Sequence, residues 1–299
     1  MAYIEACHLC PRACGVERLP GREDGPGFCG MGADALVARS ALHFWEEPCI
    51  SGERGSGTVF FSGCSLQCVF CQNYDLSHHG KGKRVSVDSL RRMMDDLVAQ
   101  GAHNINLVNP THFNAFIAET LTGYDPGVPV VYNSSGYESE EGLALMEGKV
   151  DVYLPDFKYF DNQWAERYSA APDYFETAAR ALGQMVRQVG KPQLDENGMM
   201  TRGVMVRHLV LPGQVNAAKK AVQYLYDRYG DSIFISIMSQ YTPCTDLGAY
   251  PEINRKITTE EYDEVVDFAV DIGVENGFLQ EGESASESFI PPFDLTGVE

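Results

Sequence analysis

The sequence predicts an α/β protein, a partial (β/α)6 barrel of the TIM type preceded by a small cysteine-rich metal-binding lobe. Three observations carry that prediction. From residue 58 onward, short β-rich apolar runs alternate with longer segments of helical period. The runs are apolar throughout, as in parallel strands covered on both faces by crossover helices. Eight of the nine cysteines lie in the first 71 of 299 residues, where the alternation is missing.

Six runs read as strands, at 58–62, 105–108, 128–132, 150–154, 204–210 and 233–238. After the first of them, Asp88 supplies an N-cap, Leu90, Met93, Met94, Leu97 and Val98 an apolar stripe, and Gly101 a C-terminal stop. The segment 259–273 repeats that pattern through Tyr262, Val265, Val266 and Val270, and 172–189 and 216–229 follow it more loosely. Strand-helix units with right-handed crossovers build a parallel sheet, and six units fall short of the eight that close a barrel. The chain divides into a lobe at 1–50, the barrel at 51–281, and a C-terminal arm at 282–299 carrying Ser284, Ser286, Ser288, Pro291 and Pro292.

Charge excludes some functions. With 23 Lys and Arg against 42 Asp and Glu, the net charge is −19, which gives no long-range attraction to nucleic acid or anionic lipid. The opening MAYIEACHLC has neither the basic nor the apolar part of a signal peptide, and no run approaches the ~18 apolar residues of a membrane span. A cytoplasmic protein is therefore expected, and in a reducing compartment close-set cysteines read as metal or cluster ligands. There is no H-E-x-x-H and no P-loop. Gly52, Gly55 and Gly57 precede a strand, the wrong context for dinucleotide binding.

Cys64-Ser-Leu-Gln-Cys68-Val-Phe-Cys71 follows the first strand and Gly63, at the end of the barrel where active sites form. Three thiolates on so short a loop hold three irons of a 4Fe-4S cube and leave the fourth open to a ligand. The spacing, with an aromatic before the last cysteine, resembles the radical S-adenosylmethionine (SAM) enzymes. Together with Asn133-Ser-Ser-Gly-Tyr137, Asp156-Phe-Lys158 and Arg207-His-Leu-Val-Leu-Pro-Gly213, the chain looks like a branch of the pyruvate formate-lyase activating enzyme homologs.

The resemblance implies that SAM chelates the open iron and that one electron from the reduced cluster releases methionine and a 5′-deoxyadenosyl radical, which takes a hydrogen atom from the substrate. That substrate is a glycyl-radical partner protein, another peptide or a small molecule. A reading from a different class is an iron-sulfur protein for electron transfer or redox sensing, without turnover. The implied fold, a partial (β/α)6 barrel, is the one read above from the strand count.

Carried over by position, Cys64, Cys68 and Cys71 hold the cluster, the Phe70 backbone meets the adenine, and Asp156 and Lys158 bind SAM. A carboxylate there accepts from ribose hydroxyls, and an ammonium pairs with the SAM carboxylate. Arg207 needs a carboxylate partner if buried, while His208 alternates to the opposite face as a packed residue. Two departures stand out. The family's Gly-Gly-Glu after the second strand is Asn109-Pro-Thr-His112 here, leaving the oxygens of Asn109 and Thr111 to receive the SAM amino group. Asn133, followed by Ser135, stands where the activating enzyme has an aspartate. Gln240 and Tyr241 are further mouth-facing candidates.

Cys7, Cys10, Cys14 and Cys29 supply four thiolates on turns, suited to a structural zinc or a second iron-sulfur cluster. The Cys10-Pro and Cys29-Gly turns favour zinc. The stretch from His78 to Arg84, with Lys81 and Lys83, is the densest positive run in the chain and is expected to dock a small acidic electron donor, flavodoxin or ferredoxin. Cys49 and Cys244 receive no role.

Overall fold

The computed structural model describes residues 3–22, 24–279 and 291–298. In chain order its elements are β1 (Leu36–His43), α1 (Pro48–Ser51), β2 (Ser56–Phe61), α2 (Tyr74–His79), β3 (Lys83–Arg84), α3 (Val87–Ala99), β4 (Ile105–Val108) and α4 (Asn114–Leu121). Then come β5 (Val130–Ser134), α5 (Glu140–Ala144), β6 (Val152–Pro155), α6 (Asn162–Ser169), α7 (Tyr174–Val189), β7 (Gln193–Leu194), β8 (Met200–Leu209), α8 (Val215–Tyr229), β9 (Phe234–Met238), α9 (Thr259–Asp271) and β10 (Gly277–Leu279).

The wall is β2-β4-β5-β6-β8-β9, six strands paired parallel in that order. These are the six strands expected. β10 adds parallel to β9, and β1 adds antiparallel to β2 with β3 beyond it, so among the described residues the sheet stays open between β10 and β3. It is a partial barrel.

Period 2 sorts the wall residues. Val59, Phe61, Leu107, Tyr132, Tyr153 and Val206 face the helices in the main core. Val131, Val152, Leu154 and Met205 face the lumen, where they pack on Cys49 and Ile50 of α1. The register explains how α1 comes to be there. His43 pairs with Ser56 at the start of β2, so the chain leaving β1 reaches the lower end of the barrel, and α1, with Pro48 in its first turn, turns into the lumen. Cys49 thus belongs to a plug that fills the barrel floor.

Several expectations shift in detail. β1 lies within the stretch assigned to the lobe, so the sheet takes in residues from Leu36 onward. The helix read from Asp88 is capped two residues earlier, because Ser86 is the N-cap and accepts from the Ser89 amide, with Asp88 in the first turn. α9 starts with a capping box between Thr258 and Glu261. β8 begins at Met200, its polar first half pairing with β7. His78 and His79 end α2, and Lys83 and Arg84 pair with Val37 and Leu36, so the basic run is structured. Of the predicted arm, 282–290 and Glu299 lie outside the described residues. Residues 291–298 run along β1, with Ala38 O accepting from the Leu295 amide and Thr296 O from the Ser40 amide, and Arg39 pairing with Asp294 at 2.9 Å. Among the described residues no helix is long and apolar enough to cross a membrane.

Candidate active site

One cavity occupies the mouth of the barrel, and most of the residues singled out by sequence line it: Cys64, Cys68, Phe70, Cys71, Asn109, Asn133, Ser135, Asp156, Lys158, Arg207 and Gln240. They arrive from the C-terminal ends of β2, β4, β5, β6, β8 and β9, where α/β barrels carry their chemistry. Gly136 allows two of these loops to touch, since a Cβ there would stand 2.2 Å from Asp156 O.

An ionic group forms the floor. Asp156 bridges Lys158 Nζ at 2.5 Å and Arg207 Nε at 3.0 Å, Arg207 Nη1 reaches Glu46 at 2.9 Å, and Arg207 Nη2 donates to Asn133 Oδ1 at 2.6 Å. Burial pushes the Asp156 carboxyl up, but Lys158 and Arg207 together hold it below the ordinary value. Burial likewise works against the charge on Lys158 and Arg207, and Asp156 more than reverses it. Asp156, Lys158 and Arg207 are therefore charged at neutral pH.

Glu46 was not foreseen. It enters from the turn between β1 and α1 and also accepts from Asn106 Nδ2 and Asn133 Nδ2, both at 3.1 Å. It supplies the carboxylate partner expected for Arg207. The segment around Glu46 has no period to betray it; the one local signal is an acidic pair, Glu46-Glu47, ahead of Pro48. Glu47 itself is buried, its carboxyl pushed up by burial against the pull of Arg207.

The cluster loop is built for sulfur. The amides of Leu66 and Gln67 point at Cys64 Sγ at 3.3 and 3.4 Å, and Ser169 Oγ lies 3.0 Å from Cys68 Sγ. Burial, and then the neighbouring Cys68, raises the Cys64 thiol and pushes Cys71 up to about 12, so these sulfurs become thiolates only with a metal to neutralise them. Among the described residues no three Cys, His, Asp or Glu side chains gather tightly enough for a single ion. A cube differs from a single ion in seating each sulfur on its own iron, and two buried thiols and one half-buried thiol at one cavity, Cys64 with two N–H donors and Cys68 with a hydroxyl, fit that demand.

Not every expected residue joins the site. Thr111 is a correction: it is fully buried away from the cavity, its hydroxyl donating to Glu138 Oε1 at 2.6 Å. Tyr241 is buried behind Phe70, edge-on to its ring, with its hydroxyl on Ile253 O. Asn109 lines the cavity but gives its amide to Gly63 O at 2.5 Å. His208 is buried, its Nδ1 2.7 Å from Phe157 O. In the basic run, Lys81 pairs with Asp75 and Arg84 with Asp34, so part of its charge is answered within the chain. Cys244 lines an outer groove beside the mouth with Tyr74, His78 and Tyr250.

The lobe sits against the cluster loop. Arg12, between Cys10 and Cys14, donates to Ser65 O and Ser169 O, both at 2.8 Å, tying the loop to the end of α6, and lies 3.8 Å over the Phe28 ring. Gly63 lets Cys29 and Met31 pack on the residue before Cys64, since a Cβ there would come within 2.9 Å of Cys29 O. Burial raises the Cys10 thiol to about 12 and raises Cys29 as well, with Arg18 pulling Cys29 the other way.

The partial parallel barrel has counterparts among solved structures. SuiB from Streptococcus suis bound to S-adenosylmethionine matches with a TM-score of 0.52 at 11% identity, over 75% of this chain and 52% of that one. SuiB bound to its precursor peptide SuiA matches with a TM-score of 0.51 at 11% identity, over 74% of this chain and 47% of that one. The chain spans about half the length of the SuiB structures it matches, and the likeness is one of fold. In sequence, 273 residues are 31% identical to the uncharacterized protein MJ0674 of Methanocaldococcus jannaschii, covering 88% of this chain and 74% of that protein. The chain belongs to the family of MJ0674. No family model matches it.

Proposed function

We propose that the protein is a radical SAM enzyme, binding a 4Fe-4S cluster through Cys64, Cys68 and Cys71 and SAM in the cavity beside it. The observation that carries this reading is the convergence of the three-cysteine loop with Asp156, Lys158, Arg207 and Glu46 on one cavity. A fold shared with SuiB, which binds S-adenosylmethionine, supports it. When bound, cluster and SAM would supply radical chemistry, the one-electron reductive cleavage of the sulfonium to methionine and a 5′-deoxyadenosyl radical for hydrogen abstraction from the substrate.

The chain's own residues do the binding. Lys158 offers an ammonium to the SAM carboxylate or ribose, and Asp156, held charged, accepts from ribose hydroxyls. Glu46 brings to the cavity floor the carboxylate that the segment after β4 lacks, and so is a candidate for the amino group in place of Thr111. Arg207 fixes Glu46 and Asp156 in place, and Phe70, packed among Tyr159, Tyr168 and Tyr241, shapes the adenine side. The substrate class is a polypeptide, either a partner protein receiving a glycyl radical or another peptide. The peptide-bound SuiB lends this its support.

Anaerobic reconstitution followed by dithionite reduction with SAM tests the proposal. Release of 5′-deoxyadenosine is expected, lost in Cys64→Ala and reduced at least tenfold in Lys158→Met. A reconstituted cluster that binds SAM without cleaving it, with candidate polypeptides supplied, would favour the non-catalytic sensor.

A further inference from the structure

Arg18 is buried in the lobe, 2% exposed, and among the described residues no carboxylate answers it. Its Nη1 reaches His112 O and lies 3.9 Å from Cys7 Sγ, its Nη2 reaches Gly32 O, and its Nε has no partner among the described residues. The ring of Phe113 lies 5.6 Å below the guanidinium. Nearby His112 adds no second positive charge; burial, and then Arg18 itself, keep it neutral down to about pH 3. A buried, unpaired guanidinium is strongly unfavourable. The groups beside it that can become anionic are the lobe's thiols, Cys7 in contact and Cys29 close enough to feel its charge.

We propose that Arg18 is the buried counter-charge of a metal–thiolate centre held by Cys7, Cys10, Cys14 and Cys29. Four thiolates around an oxidised 4Fe-4S core, or around a zinc that draws the four sulfurs closer than they stand, leave a net charge of about −2, and a fixed cation in low dielectric offsets part of it. Binding the metal displaces the thiol protons to solvent and converts an unfavourable buried charge into half of an ion pair. The lobe and Arg18 are each incomplete until the metal arrives. The proposal rests on reading the four cysteines as a metal site and is independent of the radical chemistry at the barrel mouth.

The test uses the full chain with Cys64, Cys68 and Cys71 changed to Ala, so that metal counted is lobe metal. About one zinc, or about four irons with visible absorption, is expected per chain, and the two results separate the metals. Arg18→Gln is then added, which keeps a donor for the carbonyls but removes the charge. With metal bound, it should lower Tm and weaken retention against a chelator by ~10 to 100-fold, the usual effect of an outer-shell partner, while Arg18→Lys loses less than tenfold. Without metal, the sign inverts, and Arg18→Gln should melt higher than its parent. A merely structural arginine would lower Tm in both forms. That result, or no metal in the parent, or Arg18→Gln failing to fold where the metal-free parent folds, overturns the proposal. Where neither folds metal-free, the chelator comparison of Gln against Lys decides, and equal retention overturns it.

Discussion

Arg207 in the barrel mouth and Arg18 in the lobe are both buried guanidiniums, and they keep different company. Arg207 meets two carboxylates and an amide oxygen; Arg18 meets two carbonyls, a thiol and an aromatic face. The barrel mouth carries its own counter-charges, supplied by strand ends that regular pairing fixes in register. The lobe has few such elements, and among the described residues no carboxylate faces its arginine. One region carries its counter-charges within the chain; on the proposal made above, the other gains them from a bound metal.

The largest expected effect attacks the barrel mouth. Among the described residues, Arg207→Met leaves Asp156 with Lys158 and Glu46 with no paired cation, and breaking a buried pair in this way costs about 3–5 kcal/mol, measurable by urea unfolding. A loss below ~1 kcal/mol would mean that the mouth does not depend on its own counter-charges, and the contrast with Arg18 would disappear.

Glu138 sharpens the contrast from the opposite sign, being a buried carboxyl served by the hydroxyls of Thr111 and Tyr132, with no cation paired to it among the described residues. Burial raises it from 4.5 to about 7. Because the folded value lies above the unfolded one, its contribution is fully present below pH 4.5 and is lost as pH rises through about 7. At roughly 1.4 kcal/mol per unit, that is ~3 kcal/mol. Glu138→Gln should flatten the fall in unfolding free energy between pH 4.5 and 7.5, and an unchanged slope would place the ionisation elsewhere. The smallest effect is a yardstick outside both regions: Thr258→Ala removes the capping box of α9 and should cost ~1 kcal/mol without changing metal content or 5′-deoxyadenosine yield.

The same contrast governs what could be read from sequence. All six wall strands were legible because period and β-branched content act locally, and the cluster loop because its ligands are neighbours in the chain. Asp156 and Lys158 were legible as a short motif, and a carboxylate partner for Arg207 could be demanded on physical grounds. Which carboxylate could not. Glu46 reaches Arg207 from 161 residues away, on a turn whose position depends on the antiparallel pairing of β1, a strand whose mixed polar and apolar residues gave no alternation. Thr111 failed for a similar reason. Its neighbours in sequence point to the mouth, but the chain after β4 turns at Asn109, with φ +59, and sends the hydroxyl inward to Glu138.

The strip formed by residues 291–298 along β1 has a consequence for how the chain is made. β3 covers only Leu36 and Val37 of that strand, and the Ala38 carbonyl accepts from the Leu295 amide while the Ser40 amide donates to the Thr296 carbonyl. Arg39 and its partner Asp294 are 255 residues apart, so on the ribosome the middle of β1 stays an unpaired edge, open to strand addition by another chain, until the rest of the barrel has been synthesised. Aggregation during expression, more than instability once folded, is the hazard that shortening this strip would create.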